Sequence, residues 1–145
     1  MIIENLYGDK IYIQNGILDN NGLPTIEYAN GVKFWYKNDK LHNLNGPAVI
    51  RENGTEEWYK NGEVHREDGP AIIYPTGTKF WLKNHQLHRE DGPAVEWANG
   101  TNEWYKNHKL HREDGPAIEW PSGIKEYWLN GKKINIINTI NTKQK

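Results

Sequence analysis

The sequence predicts an all-β protein: an elongated single antiparallel sheet of tandem 23-residue β-hairpin repeats, opened by an N-terminal half repeat. Three observations carry this expectation. Pro24, Pro47, Pro70, Pro93 and Pro116 stand 23 residues apart, and Gly31, Gly54, Gly77, Gly100 and Gly123 keep the same step. A fixed period of this length marks a repeat architecture. Each period holds two short runs rich in β-branched and aromatic residues, such as PAVEW and TNEWYKN, separated by a turn. Finally, the 145 residues are only 36% apolar, with mean hydropathy −0.93, yet include seven Trp and eight Tyr against two Phe and one Met. That is too lean for a thick aliphatic core. Trp and Tyr can cover apolar surface while a polar edge stays wet, which suits a thin, half-exposed sheet.

The chain divides into a cap, five copies and a tail. Residues 1–22 form the half repeat: Gly8 extends the glycine series backwards, and residues 8–16 match residues 31–39. Residues 23–133 hold the five copies, of which 92–114, GPAVEWANGTNEWYKNHKLHRED, is the clearest. Residues 134–145 carry Ile134, Ile136, Ile137 and Ile140 among Asn and Lys, a strand-like composition expected to cover the C-terminal sheet edge or to pair two chains.

Within a copy the first turn fixes the register. Pro75 and Pro121 occupy its first position and cannot adopt positive φ, which excludes a two-residue mirror-type turn. A type I turn with a left-handed Gly in third place gives a three-residue loop. Tyr74 then faces Thr78, Ile73 faces Lys79 and Ala71 faces Trp81, while Glu27 meets Lys33 and Glu119 meets Lys125. Alternation assigns two faces. One carries Ile26, Val49, Ile72, Val95 and Ile118 with Tyr28, Tyr74, Trp97 and Trp120. The other carries Thr25, Ala48, Ala71, Ala94 and Ala117 beneath a ladder of Trp35, Trp58, Trp81, Trp104 and Tyr127. Two strands per repeat at the usual spacing advance the ribbon roughly 10 Å per copy.

Several function classes lose their footing on composition. Eighteen Lys and Arg against nineteen Asp and Glu leave no global field for a duplex nucleic acid. Cysteine is absent, so thiolate metal sites and thiol catalysis are out. Six histidines are present, but equivalent ones in successive copies lie roughly 10 Å apart by strand spacing, too far to share an ion; no metal and no cofactor are expected. The carboxylates recur with the repeat, and the single Ser122 sits in a turn, so no catalytic residues and no enzyme are expected. Without a basic leader or a long apolar run, a cytoplasmic protein with no membrane partner is the expectation.

Two features remain as candidate sites. The connector HREDGP, at His65, His88 and His111, reads first as a structural turn into Gly-Pro; a row of His and Arg groups reading anions is its functional alternative. The Trp ladder, rimmed by lysines, reads either as packing or as a stacking platform. The candidate binding residues are Trp58, Trp81 and Trp104 with Lys60, Lys83 and Lys106. His85 and His108 join them because they replace the turn residues Asp39 and Gly62, and the alternation of Phe34 and Phe80 with Glu57, Glu103 and Glu126 breaks the pattern in the same region.

The WPSG turn at residues 120–123, the Tyr-Lys-Asn-Gly run at 59–62 and the Leu-Asn-Gly at 129–131 resemble the MORN repeat family. The HREDGPA variant is similar to repeats in bacterial, phage and large-virus proteins. A weaker likeness is to choline-binding cell-wall repeats. The MORN resemblance implies successive β-hairpins in an elongated sheet and a role in scaffolding, membrane apposition or partner binding. The expected function is thus a non-enzymatic binding module that presents an aromatic and charged sheet face to a protein or peptide partner. A small anionic or nucleotide-like ligand, as for a nucleotide-signal sponge of phage-type counter-defence, is the alternative, and a membrane-associated scaffold is third. Association of copies through sheet edges or the tail is a further expectation.

Overall fold

In a computed structural model, which describes residues 1–135, the chain forms 22 short strands. Most join one long open antiparallel sheet whose strands follow the chain from one end to the other. Among the described residues no helix is long and apolar enough to cross a membrane.

The copy at residues 92–114 shows how the sequence makes one unit. Val95–Glu96 and Asn102–Glu103 pair as a hairpin, with Val95 opposite Glu103 and Glu96 opposite Asn102. The loop closes through Trp97 N–H to the Thr101 carbonyl and Gly100 N–H to the Trp97 carbonyl, each at 2.9 Å, with Gly100 at φ 89°. This is the three-residue loop the prolines demand, and Ile73 does face Lys79. The pairs Glu27–Lys33 and Glu119–Lys125 form as the register predicts. Successive hairpins then join: Phe80 pairs with Val95 and Glu103 with Ile118, building the long sheet.

Each unit also holds a second hairpin, which lies between the end of the aromatic run and the HREDGP connector and was not read from the sequence as a hairpin. Tyr105–Lys106 pairs with Lys109–Leu110 around Asn107 and His108, both at positive φ (50° and 64°). Two consecutive left-handed residues make a type I′ turn, which matches the twist of the flanking strands. The recurring Asn38, Asn61, Asn84, Asn107 and Asn130 supply the first of the two, because Asn tolerates this region better than other side chains. Each turn docks on the preceding unit: His108 N–H donates to the Leu87 carbonyl and Gly131 N–H to the Leu110 carbonyl, both at 2.9 Å. A second row of small hairpins thus runs beside the main sheet.

The ends follow the same rules. Ile2–Glu4 pairs with Lys10–Gln14, Ile3 opposite Ile11, which is the Ile26–Phe34 register displaced by one repeat. Ile17–Leu18 then completes a small hairpin, so the first 22 residues carry both hairpins of a unit. At the other end Lys132–Ile134 lines the last strand, with Tyr127 opposite Ile134. The rest of the expected edge-covering tail, Ile136, Ile137 and Ile140, lies outside the described residues.

Both faces of the thin sheet are closed. Thr25, Ala48, Ala71, Ala94 and Ala117 are wholly buried on the ladder side, and Val49 and Val95 are buried on the other. Above the valines, Phe80 lies edge-on to Tyr74 and Trp97, with ring centroids 5.7 and 5.4 Å away. Where Glu replaces Phe, the carboxylate is held by polar neighbours. Glu57 accepts from Arg51 at 2.7 Å and from the Tyr59 hydroxyl at 3.1 Å; Glu103 accepts from the Trp97 indole at 2.8 Å and the Tyr105 hydroxyl at 3.0 Å. The Phe/Glu alternation is therefore two ways of filling one packing position.

Burial, seconded by the adjacent Glu57 and Glu103, pushes the Tyr59 and Tyr105 hydroxyls up to about 12 from the ordinary 10.0. A folded-state value above the unfolded one contributes stability below the unfolded value, and that contribution is lost as the pH rises through the folded one. An absorbance titration is expected to show Tyr59 and Tyr105 ionising well above the ordinary value of 10.0, and Glu57→Gln to bring the Tyr59 step down. Ionisation of Tyr59 and Tyr105 at the ordinary value while the sheet signal persists would contradict this packing.

Candidate functional site

Every residue of the connector has a structural task. The ring Nδ1 of His65 accepts from the Asn84 N–H at 3.1 Å, tying the connector to the turn of the next unit. His88 and His111 do the same to Asn107 and Asn130, at 3.3 and 3.1 Å. The opposite nitrogen, Nε2, meets a glutamate two residues on: Glu67 at 2.8 Å, Glu90 at 3.4 Å and Glu113 at 3.3 Å.

The sequence placed the arginines only in the connector's alternative role of reading anions, yet they define the ladder. Arg66, Arg89 and Arg112 lay their guanidinium groups on the rings of Trp58, Trp81 and Trp104, each 4.1 Å from the centroid. Arg89 Nε donates to Asp91 at 2.9 Å, and its terminal nitrogen donates to the Pro93 carbonyl at 3.2 Å. The following glycine makes room: a Cβ on Gly92 would stand 2.8 Å from the Arg89 Cζ, with 3.0 Å at Gly69 and 2.9 Å at Gly115. The guanidinium is thus sandwiched between an indole and a glycine, which accounts for R-x-D-G eight residues after each Trp. That spacing was the available signal. The Arg partner also holds the Asp68, Asp91 and Asp114 carboxyls below their ordinary range. Lys83, then His65, does the same for Glu67.

The expectation that the Trp faces have only Ala opposite and free aromatic surface beside the lysines therefore changes. Trp58, Trp81 and Trp104 are half-buried beneath arginine. The structure brings ladder and connectors into the same place. Successive connectors form the walls of a row of equivalent grooves, with the Trp strand as floor. Three of them enclose about 490, 550 and 490 Å³, floored by Trp58, Trp81 and Trp104 in turn. Lys60, Lys83 and Lys106 line the same three grooves, and Lys83 Nζ reaches Glu67 at 3.1 Å. His85 and His108 do not join them; they are exposed second residues of the type I′ turns, the place where Asp39 and Gly62 also take positive φ.

With the guanidiniums withdrawn onto the indoles, the walls expose carboxylates. The Asp68, Asp91 and Asp114 side chains are 85 to 86% exposed although each is bonded to arginine. The grooves floored by Trp81 and Trp104 offer carboxylate oxygens on both sides, and that floored by Trp58 on one, with a lysine at the floor and the edge of an indole in each. No protein-family model matches the chain, and no curated protein matches it significantly.

Proposed function

We propose that the chain is a non-enzymatic binding module whose grooves, floored by Trp58, Trp81 and Trp104, together receive one protein or peptide partner. The observation that carries this reading is the recurrence of one groove, similar in volume and in its Trp, Lys, Arg, Glu and Asp, at three successive steps of the repeat. A partner lying along the ribbon meets the same chemistry roughly every 10 Å, and weak contacts of this sort add along an extended surface. Exposed carboxylates on the walls suit cationic side chains, with indole edges beneath them for apolar or planar groups. The MORN resemblance points the same way.

Capture of partners on the immobilised chain, followed by titration at two salt concentrations, tests the reading. Asp68→Asn, Asp91→Asn and Asp114→Asn are each expected to weaken binding by a few-fold, roughly additively, with the loss reduced at high salt. Abolition of binding by one of these substitutions, with no effect of the other two, would replace the spanning partner by a small ligand in one groove.

A further inference from the structure

The first groove of the row departs from the others in three coincident ways, and beyond the partner surface proposed above the geometry points to a second, separate site there. We infer that this groove, floored by Trp35, takes a planar heteroaromatic ring of nucleobase size bearing a carbonyl acceptor. Its walls come from Asp19, Asn21 and Gly22 on one side and from His42 to Asn45 on the other, and it encloses about 250 Å³. That is roughly half the volume of its neighbours, and suits a small ring system.

The first departure is at the position of the stacking arginine. Asn43 stands where Arg66, Arg89 and Arg112 stand in later units. Its side chain keeps the bond to the proline carbonyl (Nδ2 to Pro47 O, 2.9 Å) but brings no cation onto the ring. Among the described residues a guanidinium covers Trp58, Trp81 and Trp104 and none covers Trp35. The glycine pocket is correspondingly slack: a Cβ on Gly46 would meet nothing nearer than Asn43 Nδ2 at 3.6 Å. The flat surface that the repeat elsewhere fills with a planar cation is left for another planar group.

The second departure is an orphaned donor. His42 Nδ1 accepts from the Asn61 N–H at 3.1 Å, so the neutral ring carries its proton on Nε2. In later units a glutamate two residues on accepts at that nitrogen; here the residue is Leu44, and His42 Nε2 is shielded from water with no partner. A buried donor without an acceptor is costly, and an acceptor arriving with a ligand removes the cost. Leu44 is 73% exposed and brings no acceptor to that nitrogen, which belongs to a residue lining the groove.

The third departure is charge. Asn45 replaces the aspartate, and only Asp19 and Lys37 among the lining residues are charged, so the groove holds one carboxylate where those floored by Trp81 and Trp104 hold four each. A neutral heteroaromatic ring fits that balance better than a cation does. The three changes remove an arginine, a glutamate and an aspartate from one connector, which walls this groove and one side of the Trp58 groove, and the stacking position they leave without its arginine is that of Trp35.

Inosine is the probe, with ribose as the control that lacks the ring. Tryptophan fluorescence and calorimetry on the full chain are expected to show inosine binding at about millimolar concentration or below, and no ribose binding. The double variant Asn43→Arg/Leu44→Glu restores the residues of the later units; it should keep or raise the melting temperature while weakening inosine binding about tenfold or more. Trp35→Leu should weaken it similarly with the sheet signal intact, and Trp104→Leu by less than about twofold. Absence of inosine binding at about 10 mM, equal binding by the double variant, or equal loss in Trp35→Leu and Trp104→Leu would overturn the inference. Asn43 and Leu44 also wall one side of the Trp58 groove, but the grooves floored by Trp81 and Trp104 contain neither, so Asp91→Asn and Asp114→Asn test partner capture independently and the two readings fail separately.

Discussion

Deletion of residues 69–91, one whole period, is expected to leave a folded, shorter ribbon with a lower melting temperature. The cut joins Asp68 to Gly92, so the motif RED-GPAV is rebuilt at the seam. Glu56–Glu57, which pairs with Ile72–Ile73, then meets Val95–Glu96 in the register that Phe80 keeps with Val95. His65, which takes the Asn84 N–H, finds the Asn107 N–H in the same place. The seam also sets Glu57 beside Glu103, but Glu103 and Glu126 already occupy neighbouring units in the natural chain. Stability in such arrays is a sum of unit and interface terms, so removing one of each lowers the total without destroying any remaining unit. Circular dichroism melts of the natural and shortened chains check this. Loss of a cooperative transition in the shortened chain would mean that contacts more distant than the nearest neighbour hold the fold.

Much of this architecture is written in the sequence because a repeat displays its rules several times over. The Pro75 and Pro121 loops exclude one turn class by their fixed φ, and that exclusion sets the register of every main hairpin. The second hairpin was also legible. Asn61-Gly62 and Asn130-Gly131 are strong type I′ signals, but Asn38-Asp39, Asn84-His85 and Asn107-His108 diluted them, since Asp and His take positive φ less readily. Reading each aromatic run as the second strand of a single hairpin left the histidines without their partners, which lie 19 residues further on in the next unit.

The site was less legible, for a physical reason. Alternation says on which face Trp81 lies, and nothing about what lies on Trp81. Arg89 reaches it only because the Gly92 hydrogen leaves room and the Asp91 carboxylate holds the guanidinium edge. That three-residue cooperation has no periodic signature of its own, because every part of it looks like ordinary turn chemistry. The same holds for the first groove, where Asn43 and Leu44 look in sequence like a lapse in the pattern and in space uncover one ring and orphan one histidine.

Trp81→Ala separates the two roles of the ladder. The ring is half-buried and lies under Arg89, and the Trp81 N–H donates to the carbonyl of the wholly buried Ala94 at 2.8 Å. Removing it opens a cavity on the ladder side and strands the guanidinium. A fully buried Trp→Ala costs roughly 3–5 kcal/mol, and a half-buried one belongs below that, at roughly 2–3 kcal/mol. Of this, about 0.5–1 kcal/mol belongs to the Arg89 stack, and a cycle with Arg89→Ala should return it as coupling. Trp81→Phe keeps a planar face and should recover much of the loss. Because the indole also floors a groove, partner affinity is expected to fall too, by the roughly 1–3 kcal/mol of a lost stacking surface. The two effects are read apart by measuring affinity under conditions where the variant remains folded. A variant that melts early but binds its partner with undiminished affinity once folded would make the ladder a packing device alone, and would move the partner's contacts to the carboxylate walls above it.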